Sequence, residues 1–392
     1  MARPAFIYLD NHATTAVDPR VAEAMIPYLT EHFGNPASSG HSMGWFAKEA
    51  VELAREEVAS LVGASPKEIV FTSGATESTN LAIIGAARAN QHRGKHLITL
   101  STEHKATLDA CEALEPEGFE TTVVPVQETG LVDLETLADA IREDTILVSV
   151  LMANNEIGSL QPVDAIGALC RDRGVLFHAD VAQATGKIPV DVVEMSADML
   201  SITAHKMHGP KGIGALYVRR GRPRVKLSPL IHGGGQERGL RSGTLATHQI
   251  VGLGKSCLYA KEALSNGEVD RLKSLRDRLW EILLQGIPGI ALNASMEQRL
   301  PNNLNVSIPD VDAKALLMAT RKVSVSSGSA CASSSLTPSH VLQALGRSDR
   351  EQHTAIRFGI GRFNTREEIE EAGALFVEKV AEVRALEASM GL

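Results

Sequence analysis

Apolar and polar positions along this chain fall into two textures. Through the first two thirds, apolar runs of strand length alternate with helix-period stretches. EIVFTSG (68–74), HLITLST (96–102), TTVVPV (121–126), TILVSVLMAN (145–154), VLFHAD (175–180), DMLSIT (198–203) and GALYVRR (214–220) read as strands. Segments such as NLAIIGAARAN and ATLDACEAL between them read as helices. Strands that are apolar almost throughout are the kind buried on both faces. The pattern therefore predicts an α/β fold with a largely parallel sheet and helices on each side.

After about residue 260 the texture changes. KEALSNGEVDRLKSLRDRLWEILLQG (261–286) reads as one charged amphipathic helix, followed by strand-like NLNVSIP (303–309) and helical DAKALLMAT (312–320). KVSVSSG (322–328) reads as a strand, PSHVLQALG (338–346) as a helix, and IRFGIGRF (356–363) leads into a last helix from 366. This is the signature of a smaller α+β domain, and 392 residues are enough for two cores.

Composition narrows the class. A formal net charge of −8 argues against a protein held to nucleic acid by a broad basic surface. No apolar run approaches bilayer length and no apolar leader opens the chain, so a cytoplasmic protein with no membrane partner is expected. The four cysteines are far apart, which gives neither zinc-ribbon nor thioredoxin spacing and no disulfide framework. Cys111, Cys170 and Cys257 fall in helix-like stretches and are expected to be buried packing residues. Cys331 sits in SSGSACASSS (326–335), among small polar residues that cannot form a core.

Several polar residues fall at the carboxyl ends of the strands, where open α/β sheets bind ligands. Asp180 closes VLFHAD, His205 and Lys206 follow DMLSIT, His104 follows HLITLST, Asn155 follows TILVSVLMAN, and Ser73-Gly74-Ala75-Thr76 opens a helix. Each alone is more readily a helix cap, a turn former or a solvated lysine. Together they supply an imine-forming amine, a carboxylate for a pyridinium nitrogen and a helix N-terminus for a phosphate. That is the set that pyridoxal phosphate requires.

YLDNHATT, FTSGATESTNLAI, TEHKATLDAC, NNEIG, HADVAQATGKIPVDV, AHKMHGPKGIGALYVRR, HGGGQERGLRSGTLATHQIVG and SSGSACASSSLTPSHVLQALG, in that order, resemble the cysteine desulfurases. These are fold-type-I pyridoxal-phosphate enzymes of the class-V aminotransferase family, and the resemblance is to their housekeeping iron–sulfur-assembly subgroup. It implies a large cofactor-binding domain over 15–260 and a small domain from 1–14 and 261–392, with the cysteine loop at about 326–337. It implies that Lys206 holds the cofactor, Asp180 pairs with its ring nitrogen, His104 stacks on the ring and moves protons, and Gln183 bonds its phenolic oxygen. Ala75, Thr76, Thr203 and His205 would bind the phosphate, joined by Thr244 from the second subunit of a homodimer with shared active sites. Asn155 and Arg357 would hold the carboxylate of L-cysteine. Cys331 would take the sulfur as a persulfide, leaving alanine, and pass it to an acceptor such as an iron–sulfur scaffold.

Thr203 stands where serine is frequent, Met207-His208 replaces an Ile-Tyr pair and Val181 replaces alanine, none of which removes a required group. The chain stops at EVRALEASMGL, so the longer tail with which many relatives dock a scaffold is not expected. No resident metal is expected; whether Cys331 also ligates a transient cluster stays open. So does a selenocysteine lyase or another pyridoxal-phosphate lyase, as does, more remotely, an inactive scaffold. A hydrolase is disfavoured because the match at Gly158-Ser159 is not completed to a GxSxG elbow by a second glycine, and neither nucleotide-binding glycine motif occurs.

Overall fold

The computed structural model describes residues 6–221, 223–327 and 339–390. Its large sheet has seven strands: β1 Ile69–Thr72, β2 His96–Leu100, β3 Glu120–Val124, β4 Thr145–Leu151, β5 Leu176–Asp180, β6 Met199–Thr203 and β7 Gly214–Val218. They lie in the order β1-β7-β6-β5-β4-β2-β3. All neighbours pair in parallel except β7, which is antiparallel to both β1 and β6. The connection from β6 to β7 explains this exception. It holds only a single helical turn, Ala204–Lys206, and is too short for the crossover that a parallel pair needs. Because β1 and β6 flank β7 in opposite pairing to it, six of the seven strands end at the same edge.

Alternation along each strand divides its side chains between two cores. Val70, Leu97 and Leu147 join one apolar cluster, while Phe71, Ile98 and Val148 join the other. Helices cover both faces, among them Ala75–Asn90 on one and Ser42–Leu61 with Thr247–Ser265 on the other. This double burial is why the strands read as nearly unbroken apolar runs.

A separate apolar cluster joins Ile7 and Leu9 to residues between Leu272 and Val383. It surrounds a four-stranded sheet in which Ala355–Gly359 lies between Ser326–Ser327 and Asn303–Ser307, with Ala291–Leu292 at the edge. KVSVSSG is not one strand. Val323–Ser324 pairs with Ile7–Tyr8, and Ser326–Ser327 pairs with Ala355–Gly359 in the other sheet. The amphipathic stretch 261–286 is also divided. Gly267 adopts φ +80°, ending Thr247–Ser265 and starting Glu268–Gly286. An isolated glycine in a helical pattern does not announce this turn, since helices tolerate one at a cost of about 1 kcal/mol. Among the described residues, no helix is long and apolar enough to cross a membrane.

Candidate active site

The common edge of the sheet opens into a cavity of about 460 Å³. Its lining includes Ala75 and Thr76 after β1, His104 after β2, Asn155 after β4, Asp180 at the end of β5, Gln183, and Thr203, His205 and Lys206 after β6. The residues singled out at the strand ends therefore meet in one place. The segment before the first long helices closes the floor: Thr15 N–H donates to the His205 carbonyl at 2.8 Å and Asp18 N–H to that of His208 at 2.9 Å. This strap fixes the turn carrying Lys206 to the N-terminal motif YLDNHATT.

The helix Ala75–Asn90 presents its N-terminus to the cavity. Its cap is Gly74, which has φ +152° and no side chain to satisfy the first amides. A side chain on the neighbouring strand residue Gly214 would come within 2.7 Å of Gly74 Cα, so Gly214 must be small, while Gly74 is required by its positive φ. The acidic residue in the first turn, Glu77, is turned to other partners: its carboxylate accepts from Ser73 N–H at 2.8 Å and Arg241 Nε at 2.9 Å. Free amides, the helix dipole and the Thr76 and Thr203 hydroxyls form a cradle for a dianion.

His104 caps the next helix, and its Nδ1 accepts from the Ala106 amide at 3.1 Å. The ring proton therefore sits on Nε2. Burial, and then the nearby Lys206, holds this imidazole below the usual histidine range against the pull of Asp180, so His104 is neutral at pH 7. His205 is pushed down to about 4 by burial and by Lys206 and Lys211, and its Nδ1 lies 3.2 Å from Thr14 Oγ1. Asp180 is buried, and its Oδ1 accepts from the Ala182 amide at 2.9 Å. A lysine, a buried carboxylate, a neutral histidine and an uncapped helix N-terminus around a cavity of this size fit pyridoxal phosphate, the cofactor expected from the sequence.

Arg357 is only 2% exposed and approaches from the small sheet. Its guanidinium donates to Asp10 Oδ1 and to the Asn155 carbonyl, both at 2.8 Å, and Nε has no partner among the described residues. A buried unpaired N–H costs about 1–3 kcal/mol, and Arg357 is not among the residues that line the cavity. Asp10, at Arg357, was not singled out from the sequence, although YLDNHATT contains it. Its Oδ1 also accepts from Ser326 Oγ at 2.9 Å, at the entrance to the cysteine loop. At the far end, Ser339 Oγ donates to Glu156 Oε2 at 2.6 Å and His340 Nε2 lies 2.9 Å from the Glu103 carbonyl. Cys331 itself lies outside the described residues.

Thr244 does not line this cavity. It borders another of about 240 Å³ beside Asn35, Gln236 and the buried pair Arg55–Glu237, whose two N···O distances are each 2.8 Å. The three other cysteines are buried in helices. Burial pushes the Cys111 and Cys170 thiols up to about 12 and the Cys257 thiol up as well, which makes all three inert as nucleophiles at neutral pH.

Glu156 gives a test of this burial. Being out of water pushes its carboxyl up to about 7, against the Ser339 bond and Arg357. In the unfolded chain the same group titrates near about 4.3. Below that pH both states are protonated and nothing is lost. As pH rises from there to about 7, the unfolded state gives up its proton first, and the fold loses up to about 4 kcal/mol. Glu156→Gln is therefore expected to unfold at a higher temperature than the parent at pH 8. That advantage should vanish near pH 4, as followed by circular dichroism at both pH values.

Fold and cleft together define an α/β enzyme with a lysine-centred site at the carboxyl edge of its main sheet. The chain belongs to the class-V aminotransferase family and, within it, to the cysteine desulfurases: the aminotransferase class-V model matches residues 7–371. A cysteine desulfurase IscS of Neisseria meningitidis serogroup A is 57% identical over 97% of this chain and 93% of its own length. The enzyme of the same name from Methylococcus capsulatus is 56% identical over 96% and 93%. Among solved structures, a NifS-like protein superimposes with a TM-score of 0.88 at 40% identity, covering 97% of this chain and all of that one. A structure titled SspA in complex with cysteine matches with a TM-score of 0.81 at 39% identity, over 92% and 100%.

Proposed function

We propose that this desulfurase takes sulfur from L-cysteine in the cavity at the sheet edge, using pyridoxal phosphate and Cys331. One observation carries the reading: Lys206, Asp180, His104, Gln183 and the Gly74–Ala75 helix end converge on a single cavity. When bound, pyridoxal phosphate supplies an electron sink that makes the substrate's Cα–H and Cβ–S bonds breakable. Ala75, Thr76, Thr203 and His205 hold its phosphate, Asp180 its ring nitrogen, and Gln183 its phenolic oxygen. Thr244 from a second copy of the chain completes the cradle in a homodimer. The cofactor-binding domain spans 15–260, and the small domain, 1–14 with 261–392, carries the cysteine loop at about 326–337.

Arg357 and Asn155 hold the substrate carboxylate, which the planar guanidinium fork can grip through two N–H groups. Lys206 Nζ moves the Cα proton. His104 Nε2, which carries the ring proton while Nδ1 is engaged, orients the ring and delivers protons. Cys331 attacks the substrate sulfur as a thiolate: an S–S bond forms, the Cβ–S bond breaks with its electron pair left on carbon, and protons complete alanine's methyl group. The inert state of Cys111, Cys170 and Cys257 supports Cys331 in this role. The persulfide passes to an acceptor such as an iron–sulfur scaffold, in the cytoplasm.

The test follows three signals at once after L-cysteine is added to the cofactor-loaded protein. A change in the yellow chromophore, alanine, and sulfide in the presence of a reductant are expected, with alanine and sulfide in equal amounts. Alanine without sulfide, or no spectral response, would overturn the reading.

A further inference from the structure

Behind the cavity lies a buried amine that the chemistry above does not use. Lys187 is 6% exposed, and its Nζ donates to Gln183 Oε1 at 2.7 Å. The same oxygen lies 3.0 Å from His12 Nδ1, and Gln183 Nε2 donates to the His12 carbonyl at 2.9 Å. His12 is fully enclosed, and its Nε2 has no partner among the described residues. Burial, and then Lys187, keeps this imidazole well below the usual histidine range, so it is neutral with one ring proton. That proton belongs on Nδ1, because otherwise a lone pair would face the Gln183 oxygen.

We infer that Lys187 is a positioning residue for the cofactor: together with His12 it fixes the Gln183 amide so that an N–H, not the carbonyl, is offered to the cleft. The inference rests on the assignment of Gln183 to the phenolic oxygen. Charged or neutral, Nζ of Lys187 carries at least two N–H bonds, and it serves as donor to the Gln183 oxygen. Reversing the amide would set Gln183 oxygen against the His12 carbonyl oxygen at 2.9 Å and withdraw the acceptor from both donors. One N–H of Nε2 is committed to His12, and the second remains for a ligand. Gln183 lines the cavity beside Asp180 and Lys206, so that ligand is the cofactor's ring oxygen. The cationic groups facing Lys187 are Lys206 and Arg357, neither of which can accept a hydrogen bond from it.

An N–H donor stabilises the phenolic oxygen as an anion. Without it the oxygen holds its shared proton more tightly, and the yellow chromophore loses that proton only at higher pH. Lys187→Met keeps the volume and removes the donor. In the cofactor-loaded protein it is expected to raise the pH of this spectral transition by about one unit, the scale of one charge-assisted hydrogen bond. His12→Phe, which removes the second donor, is expected to shift it the same way. In a Gln183→Leu background, Lys187→Met should add no further shift, because its effect passes through that amide. An unshifted transition in both single variants, or a full Lys187→Met shift persisting without Gln183, would overturn the inference. So would a change confined to the unfolding temperature of the cofactor-free protein, which is what a purely space-filling lysine would give. A parent protein that takes up no chromophore would defeat the cofactor assignment instead, before any variant is compared.

Discussion

Lys206→Ala is expected to give a folded protein that no longer turns yellow with pyridoxal phosphate and loses about 10³-fold or more in sulfide release. In the proposed mechanism two roles disappear with one side chain: the amine that holds the cofactor and the base that moves the Cα proton. The backbone turn should survive, because it is held by bonds that do not involve the lysine side chain. Thr15 N–H and Thr15 Oγ1 both donate to the His205 carbonyl, and Met207 N–H donates to that of Ala204. Unchanged far-ultraviolet circular dichroism with no absorbance near the chromophore band is the expected pair of measurements. A yellow, active Lys206→Ala protein would transfer both roles to another amine, and Lys187 would be the first to examine.

Cys331→Ala is expected to separate the two halves of the reaction. The proposed cofactor site is built from residues at the sheet edge, so the chromophore should keep its parent spectrum and still respond to L-cysteine. Sulfide release should fall to background, because none of the described cysteines is a competent thiolate: Cys111, Cys170 and Cys257 are buried, with their thiols pushed up. Mass spectrometry should find a 32 Da adduct, one sulfur atom, on the parent protein after a single turnover and none on the variant. A variant that releases sulfide at the parent rate would remove Cys331 from the mechanism.

Much of this site was legible from local pattern because strand ends are local features. The ends of VLFHAD, HLITLST and DMLSIT place Asp180, His104 and Lys206 without any knowledge of distant residues. Once the strands are parallel, those ends share an edge. The antiparallel strand β7 does not disturb this, since it lies between two strands that run the same way. Contacts between distant segments had no such signal. Asp10 and Arg357 are 347 positions apart, and nothing in either neighbourhood indicates that they pair. Lys187 sits in the motif HADVAQATGKIPVDV, but a lysine there reads as a surface charge until its burial beneath Gln183 is seen.

By itself the sequence determined the class of chemistry. Residue types and their order along the chain specify the amine, the carboxylate, the glycine-capped helix and the exceptional cysteine, because each depends on its own side chain and a few neighbours. The tertiary structure alone decided the working state of these groups. Solvent exclusion makes His104 and His205 neutral and Cys111, Cys170 and Cys257 inert. The small sheet brings the Arg357 guanidinium to the Asn155 carbonyl, and its Nε has no partner among the described residues. Proton affinity and hydrogen-bond satisfaction are set by whatever surrounds a group in space, and that surrounding exists only once remote segments have met.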